Sequence, residues 1–286
     1  MAKQELQVCK ANALVEASYR LSVAEQRIML ACIAQISRDQ EITDEVMYTV
    51  SATDIAALSG ATTNADYNEL KKAALRLKRR EVRIAYEPNG GGQKPEVLIA
   101  NWVQSIVYAE SAGLVRLRFN KDMLPYLCQL SEQFTRYALA DVAKMSSAYA
   151  IRLYELLIQW RGTGERVIEI DWLREALQLE GRYPAIKDFK KYVLDISIAQ
   201  INELSPLWVK WDQRKTGRRV THLVFTFGEK KNKESDEEKR NIKSSKKKKE
   251  DSLYGIPRST IEAKARPGES YEEAAARLLR EENKIR

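Results

Sequence analysis

Basic side chains are concentrated in three short stretches of the chain, and their charge and spacing suit the binding of phosphate groups. Between positions 71 and 83, seven residues are lysine or arginine and one, Glu81, is acidic. Lysine and arginine neutralise the backbone phosphates of nucleic acids, so dense positive charge of this kind indicates a nucleic-acid partner. The candidate contacts in this stretch and just before it are Asn68, Lys71, Lys72, Arg76, Arg79 and Arg80.

The other two clusters lie in the second half of the chain. One is at the start of a predicted helix and the other at the tip of a predicted β-hairpin. Recognition helices of helix-turn-helix proteins read bases from their N-terminal part, and a cationic hairpin tip suits a phosphate or minor-groove contact. The helix contributes Lys187, Lys190 and Lys191, and the hairpin contributes Arg214, Lys215, Arg218 and Arg219.

Helical periodicity indicates how the cations are presented. Stepping about 100° per residue through positions 67–80 separates an apolar face from a polar one. The apolar face holds Tyr67, Leu70, Ala73, Ala74 and Leu77, and the opposite face holds Asn68, Lys72, Arg76 and Arg79. The second basic helix is expected to bury Ile186, Phe189, Val193 and Ile196. One lysine-rich helix is usually a solvated surface helix, but two in matching contexts favour DNA reading.

The two basic helices occupy equivalent places in a repeated pattern. Each copy opens with a capped apolar helix, at Ser22 with Glu25 and again at 145–160. A β-like stretch follows, at 48–51 and 167–170, and leads into a two-turn helix ended by Gly60 or Gly181. Direct identity between the copies is low, so coincidence stays open. The pattern predicts an α+β fold with two tandem winged-helix domains.

Each basic helix is followed by a predicted β-hairpin, the wing. The first wing is expected from strands at 81–86 and 96–107, with a further strand at 114–119. The second is expected from strands at 207–211 and 220–227. The triple glycine at 90–92 is not followed by Gly-Lys-Ser/Thr, so it indicates a turn between strands and not a nucleotide-binding loop.

The expected domains are an N-terminal winged helix at 1–130, a C-terminal winged helix at 131–228 and a charged tail at 229–286. Residues 229–250 are charge-rich and almost without apolar side chains, which predicts a disordered linker. Ser270 and Glu273 form a capping box for a short helix at 269–283. Its narrow apolar stripe contains Tyr271, Ala275, Leu278 and Leu279. Such a helix either stays largely unfolded or docks on another surface.

Composition excludes several classes of protein. The chain has 286 residues and 44% hydrophobic content, enough for two globular cores, and no apolar run long enough to span a membrane. We expect a cytoplasmic protein without membrane association. Cys9, Cys32 and Cys128 have no metal spacing and are expected to be reduced thiols. No metal and no cofactor is expected.

The sequence also argues against catalysis. His222 is the only histidine, which excludes the paired imidazoles of metal-dependent strand-nicking enzymes. There is no P-loop, so neither an ATP-driven helicase nor an ATP-dependent origin binder fits. Tyr137, Tyr149 and Tyr154 fall at helical spacings with leucines and are expected to pack. We therefore expect no catalytic residues.

Several segments resemble a known family. They lie at 12–22, 25–30, 147–157, 189–194 and 200–202. Together they are similar to the iteron-binding initiators of theta-replicating bacterial plasmids, in the family's order over residues 8–228. One departure is Gln200, where the family has a glutamate before Ile-Asn.

The resemblance implies a replication initiator with two winged-helix domains. It implies binding to double-stranded DNA, as a monomer on directly repeated origin sequences (iterons) and as an autorepressing dimer on an operator inverted repeat. Base reading would lie mainly with Lys187, Lys190 and Lys191, and the dimer surface with residues 97–119. The implied host partners are the helicase, the helicase loader, the host initiator and chaperones.

Two other functions stay open on the sequence. One is a winged-helix transcription regulator without a replication role, although no effector domain is visible. The other is a partition or adaptor protein that bridges DNA. Tandem repeats of about 20 bp beside the gene would favour the initiator.

Overall fold

The computed structural model describes residues 6–36, 43–60, 67–85, 96–127, 133–230, 252–253, 256–257, 260–261, 264, 266 and 270–282. The chain divides into two compact units, Met1–Glu229 and Lys230–Arg286. Within the described residues, no helix is both long and apolar enough to cross a membrane.

The first half of the larger unit alternates short helices and strands. Its elements are β1 (Gln7–Ala11), α1 (Asn12–Glu16), β2 (Ser18–Tyr19), α2 (Val23–Ile33), β3 (Tyr48–Ser51), α3 (Ala52–Ser59), α4 (Tyr67–Leu77), β4 (Glu81–Ala85), β5 (Val97–Asn101), β6 (Val103–Ala109) and β7 (Leu114–Phe119). Two 3-10 turns, Glu110–Ala112 and Lys121–Tyr126, flank β7. The series α2, β3, α3, α4 and the β4–β5 hairpin is the winged-helix order that the sequence predicts.

The second half repeats that order. Its elements are β8 (Phe134–Ala138), α5 (Ala140–Ala143), α6 (Ala148–Ile158), β9 (Glu165–Glu169), α7 (Ile170–Ala176), α8 (Ile186–Phe189), a π-helical turn (Lys190–Asp195), α9 (Ile196–Leu204), β10 (Leu207–Thr216) and β11 (Arg219–Glu229). Segments α8, the π turn and α9 follow one another without a break, so residues 186–204 form one long helix.

Sheet pairing differs between the two copies. In the second copy β9 pairs with β11, giving the antiparallel order β10-β11-β9. In the first copy the equivalent strand β3 pairs instead with β7, in the order β3-β7-β6, while β4 lies between β2 and β5. The expected strand at 96–107 is broken at Trp102, whose side chain is buried, and this break separates the two sheets.

One hydrophobic core extends through both copies. Its largest fully buried side chains include Trp102, Phe119, Tyr154, Phe189 and Phe225. Full burial of such a side chain stabilises the fold by about 1.5–3 kcal/mol relative to exposure. Strand β8 pairs with β1 across the expected domain boundary at residue 130, which itself lies outside the described residues.

Helix ends follow the sequence signals in most cases. Ser22 and Glu25 form the expected capping box, and Gly60 ends α3 in the left-handed conformation with φ +71°. The expectation for Gly181 is wrong, because α7 already ends at Ala176. Gly181 lies further along, in the segment that connects α7 to α8.

The prediction that Ile196 is buried is wrong: 40% of this residue is exposed. The wide π turn at Lys190–Asp195 shifts every later residue around the helix axis relative to a regular 3.6-residue spiral. Leu194 and Ile198 are buried as a result, together with the expected Phe189 and Val193.

The second wing is longer than expected. Strands β10 and β11 continue to Thr216 and from Arg219, so the connecting turn has two residues, Gly217 and Arg218. Most of the expected hairpin tip is therefore strand. The first wing is present as β4 and β5, and its connection at 86–95 lies outside the described residues.

The smaller unit contains a β-hairpin of two short strands, β12 (Ser252–Leu253) and β13 (Ile256–Pro257), and helix α10 (Tyr271–Glu282). Ser270 and Glu273 form the reciprocal bonds of a capping box. Ala274 and Ala275 are buried against Ile261, with Leu278 beside them. Of the two alternatives expected for this helix, packing against another surface is the one observed, and that surface belongs to the same unit. The expected linker at 229–250 falls almost entirely outside the described residues.

A buried ionic network ties the N-terminal strands to α6. Glu155 accepts hydrogen bonds from Lys10 on β1, Tyr19 on β2 and Tyr137 on β8. Arg152, one helical turn before it, donates to Glu155 at 3.2 Å and to the Tyr19 hydroxyl at 2.6 Å. Burial alone would raise the pKa of Glu155, but Lys10, Arg152 and the hydrogen bond from the Tyr137 hydroxyl hold it below its ordinary value. The carboxylate is therefore ionised at neutral pH.

The predictions for the cysteines and tyrosines have mixed outcomes. Cys9 and Cys32 are buried thiols, whereas Cys128 lies outside the described residues. Tyr137 and Tyr154 are buried, as predicted, and their rings pack edge to face. The helical setting predicted for Tyr137 is wrong, because it lies on strand β8.

Candidate nucleic-acid interface

Helix α4 presents the first basic cluster on its outer face. Leu70, Ala73, Ala74 and Leu77 are buried on its inner face, as the periodicity predicts, and α4 packs against α2. The side chains on the other face, including Asn68, Lys72 and Arg76, are exposed. Burial of one face therefore fixes the direction in which the cations point.

Two members of this cluster are held by a buried carboxylate. Arg76 Nε lies 3.1 Å from Glu25 Oε1, and Arg80 Nε lies 3.0 Å from Glu25 Oε2. Glu25 is fully buried. Burial by itself would raise its pKa, but the hydrogen bonds from the two arginines and from the Ser22 N–H keep it below its ordinary value. From the sequence, Glu25 is recognisable only as a capping residue.

The other cations of the first cluster have different contacts and are not bound to Glu25. Lys71 Nζ lies 4.3 Å from the centre of the Tyr108 ring and 3.8 Å from Glu110 Oε1. Lys72 pairs with Glu69 at 2.9 Å on the surface, where such a pair contributes little to stability. Arg79 is exposed at the end of α4. Lys72 and Arg79 are thus the more accessible cations.

The second basic cluster lies at the start of the long helix at 186–204. Lys187 and Lys191 are exposed. Lys190 is half-buried, donates a hydrogen bond to Gln213 Oε1 and lies 5.6 Å from the Trp211 ring centre. Both partners are on β10, so Lys190 connects the helix to the wing. The π turn that contains Lys190 and Lys191 is of a kind often found at functional sites.

The turn before this helix is fixed by Arg174 on α7. Its guanidinium donates to the carbonyl of Arg182 at 3.2 Å and of Tyr183 at 2.8 Å. It also lies 4.6 Å from the centre of the buried Phe189 ring. Tyr183 has φ +49°, a left-handed conformation that is strained for a residue with a side chain. Arg174 thus positions the N-terminal part of the helix, a role that sequence reasoning missed.

Gln200 also has a structural role. Its side-chain oxygen accepts hydrogen bonds at 3.0 Å from the backbone N–H groups of both Ser146 and Ser147. Ser147 is the N-cap of α6. Gln200 therefore fixes the long helix to the start of α6, and an amide oxygen accepts these bonds as a carboxylate would.

The cations of the second wing are all exposed. Arg214 and Lys215 are on β10, on either side of a register shift, and Arg218 is in the turn. Arg219 pairs with Asp171 at 2.7 Å on the surface. His222 is half-buried on strand β11, and its Nδ1 lies 3.0 Å from the Thr221 hydroxyl oxygen.

The arrangement suits recognition of a polyanion. The Lys190–Gln213 bond connects the second helix to the second wing, and the wing carries exposed cations on both of its strands and in its turn. Across the described residues, no group of histidine, cysteine or acidic side chains has a metal-binding arrangement.

Comparison with known proteins agrees with this architecture. The family model described as "Initiator Replication protein, WH1" matches residues 7–158, and that described as "Initiator Rep protein, WH2" matches residues 169–227. The chain belongs to the initiator replication protein family. Two winged-helix domains are the shared fold of this family and of this chain.

Individual members of the family cover most of the chain. A replication initiation protein of Escherichia coli is 31% identical over an alignment of 229 residues, and the alignment covers 77% of this chain and 69% of that protein. The PI protein of Escherichia coli is 25% identical over 245 residues, 76% of this chain and 80% of its own length. The crystal structure of Pi initiator protein in complex with iteron DNA has a TM-score of 0.66 and 22% identity, covering 81% of this chain and all of that one. This last likeness shows the fold.

Proposed function

We propose that the chain is a plasmid replication initiator that binds the iterons of its origin, helps to open the duplex and recruits host replication proteins. The observation that supports this most is the pair of winged helices, each with an exposed basic helix, in a member of the initiator family. The Pi initiator with the same fold has been crystallised on iteron DNA.

The second domain is the better candidate for base reading. Lys187 and Lys191 are exposed at the start of a helix whose N-terminal turn is fixed by Arg174. Pre-positioned side chains lose little entropy on binding, which favours specific contacts. In the first domain, Lys72 and Arg79 are the proposed phosphate contacts, because Lys72 is exposed on the outer face of α4 and Arg79 is exposed in the turn that follows it.

The strands at 97–119 are the proposed dimer surface. Val97 and Ile99 on β5 are 52% and 58% exposed, and Val107 and Tyr108 on β6 are 40% and 47% exposed. Among the described strands, β5 and β6 are each at the edge of a sheet. Exposed apolar edge strands favour pairing with a second chain. A dimer formed there would serve autorepression at an operator inverted repeat.

The remaining parts of the proposal follow from the family. The initiator would act in the cytoplasm without a catalytic step or cofactor, and would deliver the host helicase and its loader to the opened origin. The host initiator and chaperones are further expected partners.

Footprinting on the DNA that flanks the gene tests the proposal. Each monomer is expected to protect two major-groove segments on one face of the duplex, about 10 bp apart, within each direct repeat. Protection of one segment per monomer would contradict the use of both domains. Protection confined to a promoter inverted repeat would instead favour a transcription regulator.

A further inference from the structure

A basic cleft that was not predicted from the sequence lies between the two winged helices. Arg79, Arg80 and Arg83 line it from the end of α4 and from β4, and Arg20 lines it from the segment between β2 and α2. Gln178, Glu180 and Glu81 complete the lining. The cleft has a volume of 450 Å³, and a water molecule occupies about 30 Å³, so it admits a group much larger than water.

Its walls are held together by hydrogen bonds between the copies. The Ser18 hydroxyl donates to the carbonyl of Glu175 at 2.7 Å, and the Gln178 amide donates to the carbonyl of Ser18 at 3.4 Å. Gln178 has φ +48°, a strained conformation for a residue other than glycine. These bonds hold the two walls of the cleft together in the folded chain.

Most of its cations are uncompensated. Arg80 is bonded to Glu25, but no carboxylate among the described residues lies within ion-pair distance of Arg20, Arg79 or Arg83. Glu81 and Glu180 also line the cleft and lower its net charge without pairing with these guanidiniums. Clustered guanidiniums without counter-ions repel one another, and a bound oxyanion would relieve that repulsion.

We propose that this cleft binds a phosphate group of the DNA backbone between the two segments read by the basic helices. The inference rests on the proposed function. Guanidinium groups match phosphate oxygens with paired, directional hydrogen bonds, and the cleft offers several of them. A phosphate there would contact both domains at once, so it would fix their register on the duplex without reading sequence.

The test combines arginine variants with backbone substitution. Arg20→Gln and Arg83→Gln each remove a cation from the bound phosphate, which lowers the slope of log K against log salt by up to about 0.9 and weakens binding by up to about eightfold in 0.1 M salt. The loss is expected on cognate and random duplex alike. Arg136→Gln is the matched control, since Arg136 is an exposed arginine on β8 outside the cleft, and it should leave the slope unchanged.

Methylphosphonate scanning then locates the bound phosphate. Neutralising one phosphate at a time should reveal a position between the two footprints where the wild type loses more affinity than Arg83→Gln does. If no position couples to Arg83, the proposal is overturned. Binding of free inorganic phosphate in the cleft, without such coupling, would overturn it equally.

Two controls distinguish misfolding of a variant, failure of the proposed function and failure of the cleft proposal. Thermal melting of each variant should match the wild type, because the replaced side chains make no ion pair in the described structure. If the wild type binds iterons no better than random duplex, the proposed function fails, while the salt slopes of Arg20→Gln and Arg83→Gln on random duplex still test whether the cleft holds a phosphate. If the wild type prefers iterons but no phosphate couples to Arg83, only the cleft proposal is refuted.

Discussion

Replacing Glu155 with glutamine keeps the size of the side chain and removes the charge that holds the buried network together. The side chains of Glu155, Lys10 and Arg152 are 1%, 4% and 3% exposed. The variant leaves Lys10 and Arg152 as buried cations without their carboxylate. Breaking a buried ion pair in this way costs about 3–5 kcal/mol, a large part of the roughly 5–15 kcal/mol that stabilises an ordinary protein.

Urea unfolding of the full chain, followed by circular dichroism, measures this free energy. Glu165→Gln is the control, because Glu165 is an exposed glutamate on β9 and its replacement should change stability by less than about 0.5 kcal/mol. Adding Lys10→Met to Glu155→Gln should recover part of the loss, since one uncompensated buried charge is then absent. A loss below about 1 kcal/mol in Glu155→Gln would refute the assignment of the network.

Four further outcomes are expected. Lys191→Ala should weaken binding to the iteron by about 1–3 kcal/mol, whereas Arg79→Ala should weaken all sequences alike, as equilibrium binding at several salt concentrations would show. Arg174→Ala should reduce the ratio of iteron to random-DNA affinity, although Arg174 itself touches no DNA; an unchanged ratio would contradict its positioning role. The folded-state pKa of Glu25 is depressed. The stability that its ionised carboxylate contributes is therefore present above the unfolded-state pKa of about 4.3 and is lost as pH falls below that value. Glu25→Gln should accordingly flatten the acid side of a plot of melting temperature against pH. Truncation after Gly228 should leave the melting temperature and footprint nearly unchanged, and a marked drop in the melting temperature would contradict this.

Much of the fold was predictable because its signals are local. The capping box at Ser22, the left-handed Gly60 and the apolar face of α4 depend on neighbours within one or two turns, and all three are present. The exposed face of α4 follows from the same periodicity. Local signals also gave the order of elements in both winged helices.

The sequence-based predictions were wrong or absent where contacts between segments far apart in the chain determine the structure. Ile196 is exposed because a π turn interrupts the regular spiral, and the spacing of apolar residues does not reveal that turn. The sequence made no prediction of which strand pairs with β3; its partner is β7, whereas the equivalent β9 pairs with the wing strand β11, and this choice is made between segments far apart in the chain. For the candidate site, the sequence located the cations but not their partners. The pairing of Arg76 and Arg80 with Glu25 and the bonds of Arg174 depend on packing.

Replication supplied in trans tests the central claim most directly. A circular DNA that carries only the flanking repeats and a selectable marker is placed in a host that expresses this chain from another replicon. The circle is expected to be maintained with the wild type and lost with Lys191→Ala at equal protein levels. If the wild type binds the repeats and represses its promoter but never maintains the circle, the chain is a regulator and not an initiator.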